Sequence, residues 1–165
     1  VWVNQAPISN IVLKNMIERN LRDSFVQKWR SELDSMSSCD LYTKFKTEFK
    51  FEKYMYFEDE KLITVICHLR LQNNRLAKVI GRYSGIERNQ RFCKMCDENK
   101  LGDEFHLFFE CKNTDIANAR CKYLPVYYAQ KPSMYKFLQL LSSEDNVCIK
   151  NMGIFLSKVL PLHKR

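Results

Sequence analysis

The stretch Cys93-Lys94-Met95-Cys96-Asp97-Glu98-Asn99-Lys100-Leu101-Gly102-Asp103-Glu104-Phe105-His106-Leu107-Phe108-Phe109-Glu110-Cys111 organises the reading of the whole chain. Two thiols three residues apart on one tight turn span one edge of a tetrahedron around a divalent ion. His106 and Cys111 complete a C-x2-C-x9-H-x4-C pattern. Four soft or borderline ligands with no carboxylate among them suit a closed structural zinc site, because no position is left open for a reacting water. The bland alternative is a set of cysteines and a histidine packed in an apolar core. The compact His and Cys after the CxxC argue against it.

The spacing carries a difficulty of its own. His106 and Cys111 are five apart, which in an α-helix puts them about 140° from each other. The segment is therefore expected to be helical and to loosen near Glu110, so that Cys111 swings back. Phe105, Phe108 and Phe109 are expected beneath the site. Asp103 or Glu104 is the candidate acceptor for the second imidazole proton, and Cys121 is a substitute ligand. Cys39, Cys67 and Cys148 read as core residues, and His68 and His163 as surface groups.

Working outward, the chain has 165 residues, 45% of them apolar, which supports a packed core rather than a disordered tail. Four glycines and four prolines are few enough to favour helices. The predicted fold is mainly α, a helical bundle-like domain with the CCHC zinc-binding unit embedded in it. Apolar positions at Ile8, Ile11, Val12, Met16, Ile17, Leu21, Phe25, Trp29 and Leu33 predict a long first helix capped by Ser9 or Asn10. Asp40 is the candidate cap of a second helix carrying Leu41, Phe45 and Phe49. Glu58-Asp59-Glu60 opens a third, running to about Leu71. Asn73-Asn74, Gly81 and Gly85 predict an extended connector over 72–90. Later helices are expected over 114–123, capped by Asn113 or Thr114, then over 133–141 and 144–160. The domains follow as a helical region 1–72, a basic connector 73–91, the zinc unit 92–112 and a C-terminal helical region 113–165.

Lys and Arg number 27 against 19 acidic residues, a net charge of +8 that suits a polyanionic partner. The excess is concentrated just before the zinc ligands, in Arg70, Arg75, Lys78, Arg82, Arg88, Arg91 and Lys94, opposed by Glu87 alone. Such a strip can contact phosphates, with Tyr83 or the Arg82 guanidinium stacking on a base. Alternatively its charges pair with Glu58–Glu60, or Arg82 bonds carbonyls where Gly81 bends the chain. Seven cysteines, an odd number, and no signal peptide or long apolar run favour an intracellular setting, nucleus or cytoplasm. The start at Val1-Trp2-Val3 reads as part of a longer polypeptide.

Leu69-Arg70-Leu71, Arg75-Leu76, Gly81-Arg82-Tyr83, Arg88 and Arg91-Phe92-Cys93-Lys94-Met95-Cys96, followed by Gly102 through Cys111, resemble the carboxy-terminal segment of non-LTR (LINE-type) retrotransposon reverse transcriptases. The family pattern is a leucine-arginine helix end, a Gly-Arg with an aromatic, an arginine shortly before a CxxC, then Asp-Glu-aromatic-His-aromatic and a closing Cys. The match covers about residues 62–112. The resemblance implies a zinc-binding region downstream of a polymerase core, helping to hold template RNA or target DNA during target-primed reverse transcription. It implies Cys93, Cys96, His106 and Cys111 as ligands of one Zn²⁺, and Arg70, Arg75, Arg82, Arg88 and Arg91 as nucleic-acid contacts. Lys78 joins them from the basic strip.

The expected partners are RNA or DNA and the polymerase core of the same parent chain, with no membrane and no small-molecule substrate. The aromatic-x-Asp-Asp turn of a polymerase centre is missing; Phe57-Glu58-Asp59-Glu60 is not that turn. No nucleophile triad or phosphate-cradling glycine loop is found either, so the segment is expected to have no catalytic centre. A zinc-stapled scaffold contacting protein through Tyr42–Phe57 is the alternative. A metal-dependent nuclease is disfavoured by the closed ligand set.

Overall fold

A computed structural model describes residues 9–164. The fold is mainly helical, and among the described residues no strand forms beyond one isolated antiparallel bridge, Phe92 with Leu101. The chain divides between Ser37 and Ser38 into two units. The segments 73–91 and 92–112 both lie inside the second.

The first unit carries α1, Asn10–Ser35, with the Ser9 hydroxyl accepting from the Val12 amide. Four i,i+4 ion pairs run along it: Lys14–Glu18, Arg19–Asp23, Lys28–Glu32 and Arg30–Asp34. No α1 residue is buried, and Ile8 lies outside the described residues.

The second unit is built from α2 (Tyr42–Phe45), α3 (Glu60–Arg70), α4 (Ala77–Tyr83), α5 (Thr114–Tyr123), α6 (Val126–Ala129), α7 (Met134–Leu141) and α8 (Asn146–Val159). Its caps follow from side-chain chemistry at each start. Asp59 accepts from the Lys61 and Leu62 amides, Asn113 from Asp115 and Ile116, Ser133 from Lys136, and Asp145 from Val147 and Cys148. Helix α8 packs on α3 and α5. Gly153 sets the closeness of the first contact, since a Cβ there would stand 3.2 Å from Ile66 Cδ1. Ile66, Leu69, Ile116, Phe137, Leu140, Met152, Phe155 and Leu156 form the fully buried centre.

Two expectations fail. The helix over 40–49 shrinks to α2, and its start is Leu41 with no side-chain cap; Asp40 instead faces Lys78 Nζ at 3.4 Å. The cause lies in Lys46, which is buried. Its ammonium donates to the Lys50 carbonyl (2.6 Å) and pairs with Glu52 (2.8 Å), so the chain loops back rather than continuing helical. The 72–90 connector contains α4. Its entry is fixed by the Asn74 side chain, which accepts from the Leu76 amide at 3.1 Å, so the asparagine that reads as a breaker is what starts the helix. Before it, α3 ends with Gln72 in the left-handed region (φ 52) and the Asn73 amide bonded to the His68 carbonyl at 2.8 Å. That is a helix stop glycine usually supplies.

Candidate metal centre

The hairpin that bears Cys93 and Cys96 is closed by two backbone bonds. The Cys93 amide donates to the Lys100 carbonyl (2.8 Å) and the Gly102 amide to the Arg91 carbonyl (2.9 Å). Gly102 is required by close approach: a Cβ there would lie 2.8 Å from Ala77 Cβ and 2.9 Å from Cys93 Cα. The Met95 amide points at Cys93 Sγ (3.4 Å), a bond that favours the thiolate.

His106 and Cys111 come together by a change of helical pitch. Residues His106–Glu110 form one wide turn, closed by the Cys111 amide on the His106 carbonyl at 2.8 Å. A five-residue closure stacks positions i and i+5, which an α-helix would hold about 140° apart. The turn is anchored on both sides. Asp103 accepts from the His106 amide (2.9 Å), and Arg120 of α5 donates to the carbonyls of Cys111 (2.9 Å) and Leu107 (3.3 Å). Beneath it Phe108, fully buried, meets the rings of Phe137 at 5.4 Å and Phe155 at 5.1 Å, and Phe105 meets Phe137 at 5.8 Å. The metal segment is thus part of the main core.

The four ligand atoms lie within 4.8 Å of one another. Cys93 Sγ and Cys111 Sγ are 4.0 Å apart, and Cys96 Sγ and His106 Nε2 3.3 Å. Tetrahedral geometry with ordinary zinc–ligand bonds needs about 3.8 Å between sulfurs and about 3.6 Å from sulfur to nitrogen. The residues therefore fit a four-coordinate ion, and this cluster can hold one. Cys121 is exposed and lies outside it; Cys39 and Cys148 are buried, and Cys67 is half-buried with its thiol toward the Tyr54 hydroxyl.

The groups shift one another strongly. Hydrogen bonding from Cys111 leads in holding the Cys93 thiol down to about 3, against the effect of burial. Cys111 is pushed up by the same bond and by burial. Burial works against protonated His106, but the Cys93 and Cys96 sulfurs prevail and raise it to about 9. A cation among these atoms replaces the protons they compete for. The far imidazole nitrogen, Nδ1, faces Glu110 Oε2 at 3.4 Å. Glu110 is the orienting carboxylate, in place of Asp103 or Glu104; Glu104 is buried against Lys78 (3.2 Å) and Gln72 (3.4 Å).

The six basic residues expected to contact nucleic acid fall into two groups. Arg70 is 3% exposed; its guanidinium bonds Glu52 (2.7 Å) and the Leu141 carbonyl and lies over the Phe45 and Tyr54 rings. Lys78 pairs with Asp40 and Glu104. Arg91 donates to the carbonyls of Ile86 (2.8 Å) and Lys78 (3.2 Å), and its stem lies where a Cβ of Gly81 would be, 2.5 Å from Cγ. The carbonyl-bonding role at Gly81 thus belongs to Arg91 rather than Arg82. Arg75 and Arg88 are exposed, and Arg82 lies over the exposed Tyr83 ring at 5.2 Å. Among the described residues, none of these six pairs with Glu58–Glu60.

Sequence reasoning missed Gly102, Glu110 and Arg120. Gly102 had a legible signal, a lone glycine between a CxxC and its histidine; Arg120, nine residues beyond the last cysteine, had none. No family model, curated protein or solved structure matches the chain. Among the described residues no helix is long and apolar enough to cross a membrane.

Proposed function

We propose that this chain is a zinc-stabilised nucleic-acid-binding region of the kind that follows the polymerase core in non-LTR retrotransposon reverse transcriptases. It has no catalytic centre of its own in this reading. One structural Zn²⁺ is held by Cys93, Cys96, His106 and Cys111. RNA or DNA, and the polymerase core of the parent chain, are the partners.

The observation that carries the reading is where uncompensated positive charge remains. Arg75, Arg88 and Lys94 are exposed, and among the described residues their side chains have no ion pair; Arg82 adds a guanidinium stacked on an exposed tyrosine. They flank the metal hairpin on the segment 75–94, so an ion that rigidifies the hairpin also fixes the spacing of these charges. Exposed cations of this kind bind phosphates with steep salt dependence, and an Arg–Tyr stack offers a platform for a base.

Metal analysis of purified protein tests the first half, with one zinc per chain expected. Anisotropy titration of a labelled oligonucleotide at 50 and 200 mM salt, concentrations on the order used to resolve counterion release, tests the second. The alternative of a protein-contacting scaffold is favoured by one feature, the exposed Phe51 and Tyr56 rings 4.8 Å apart. Absent or salt-independent oligonucleotide binding would select it.

A further inference from the structure

Three depressions on the second unit differ in how their charges are compensated. The one lined by Lys46, Lys50, Lys53 and Arg70 also contains Glu48, Glu52 and Glu144, and each of its four cations pairs with one of these. The other two contain no carboxylate. One, of about 370 Å³, is lined by Arg75, Ile80, Lys94, Met95, Leu162 and His163. The other, of about 330 Å³, shares Arg75 and adds His68, Asn73, Asn74 and Leu160.

Both volumes are in the range of small-ligand sites, and the mixture of apolar wall with a few cations and amides is what such sites present. Each is edged by a buried polar atom without a partner among the described residues, His163 Nε2 in one and Asn74 Nδ2 in the other. Buried polar atoms left so call for a partner such as an ordered water or a ligand, and these two stand where a ligand in either depression could reach them. An anionic head with a flat apolar body matches the lining: phosphate to Arg75 and Lys94, a base against Ile80, Met95 and Leu162.

We propose that these two depressions, joined at Arg75 beside the Leu160–His163 turn, seat unstacked nucleotides of a single strand. The inference rests on the nucleic-acid reading above and gives it a location. A concave site of this size takes one base and excludes a duplex, whose bases are already stacked and paired. The metal hairpin supplies Lys94 and Met95, so the hairpin forms one wall of the seat.

The test uses the metal-loaded chain with ¹³C-methyl methionine, titrated with U12 and dT12 oligonucleotides and a blunt duplex. The Met95 methyl resonance is expected to move with either single strand, while Met152, which is fully buried, and Met55 and Met134, outside both depressions, stay in place. Arg75→Ala with Lys94→Ala is expected to weaken single-strand binding by about tenfold or more and to lower the salt slope by about two. The tighter of the two strands names the preferred sugar. Salt-dependent binding that leaves Met95 unmoved and survives the double substitution overturns this location while the general reading stands. If neither strand nor the duplex binds, both fall.

Discussion

Replacing Arg70 by Met tests whether the centre of the second unit is held by a charge inside the fold. Methionine keeps most of the apolar stem and removes the guanidinium. Three interactions go with it: the 2.7 Å bond to Glu52, the bond to the Leu141 carbonyl, and the contacts over Phe45 and Tyr54 at 4.9 and 4.8 Å. Removing one partner of a buried ion pair costs about 3–5 kcal/mol, because the other charge stays behind. Glu52 is 19% exposed and keeps Lys46 at 2.8 Å, which argues for the lower end of that range. The carbonyl of Leu141, left without its donor, adds about 1–3 kcal/mol. Since these losses share atoms they do not sum, and about 3–5 kcal/mol in total is expected. At roughly 2–4 °C per kcal/mol for a domain of this size, the midpoint should fall by about 6–20 °C.

The same substitution should change the acid limb. Burial pushes the Glu52 carboxyl up, but the Lys46 hydrogen bond and the Arg70 charge outweigh it, so its folded value lies below the ordinary 4.5. A carboxyl held low when folded contributes stability at neutral pH and loses it as pH falls from that ordinary value through the folded one. Arg70→Met should therefore flatten the decline below about pH 4.5. Thermal melts by far-UV circular dichroism from pH 7 to pH 3 read both effects. In a double-mutant cycle with Glu52→Gln the two costs should be strongly sub-additive. A midpoint within about 2 °C of the parent, or an unchanged acid limb, would refute the argument and return Arg70 to the list of candidate surface contacts.

Cys96→Ser, or a strong chelator, should unfold at least residues 92–124, read by loss of amide-exchange protection there; the free energy of a structural zinc site, about 10–16 kcal/mol, exceeds the stability of most domains. Unchanged protection and melting in both would reject a structural ion. Glu110→Gln should weaken metal retention about 10–100-fold in chelator competition, because the imidazole loses its orienting carboxylate, and the metal-loaded melt should fall by the equivalent of about 1.4–2.8 kcal/mol, since binding free energy at such a site is folding free energy. Gly102→Ala should cost about 1–3 kcal/mol, because the contacts it makes are with Ala77 Cβ and the Cys93 backbone, neither of which can rotate away; a neutral outcome in a urea melt would show that the hairpin is looser than its 2.8 and 2.9 Å bonds imply.

How much of this was legible in the sequence depends on the range of the forces involved. Helix starts were readable because Asp59, Asn113 and Ser133 bond amides two or three residues away. The Cys93, Cys96, His106 and Cys111 cluster was readable because the spacing a metal requires is short in sequence. The two helix expectations that failed were decided close by, α4 by the Asn74 side chain on the Leu76 amide and the end of α2 by Lys46 reaching Lys50 and Glu52. Longer-range partners set the rest: Arg70 turns inward to Glu52, which also holds Lys46, and the Arg91 stem fills the place of a Gly81 Cβ. Arg120 could not be assigned because one of its acceptors, the Leu107 carbonyl, is released only when the Cys111 amide turns to His106 instead, and the other, the Cys111 carbonyl, lies past the end of the turn.

That widening links the candidate metal cluster to the rest of the second unit. An α-helical His106–Cys111 segment would satisfy its backbone and keep its phenylalanines on the core, but would carry Cys111 away from the other three ligands. A wide turn is uncommon and occurs most often at functional sites. Here it is held by Arg120 from one side and by Phe108 against Phe137 and Phe155 from below, so it does not depend on the ion alone. The arrangement therefore has Cys93, Cys96, His106 and Cys111 brought close by packing, where an ion could fix them, with Lys94 and Arg91 carried on the same hairpin. Loss of metal should then be felt first in the phenylalanine core of the second unit, at Phe108 against Phe137 and Phe155.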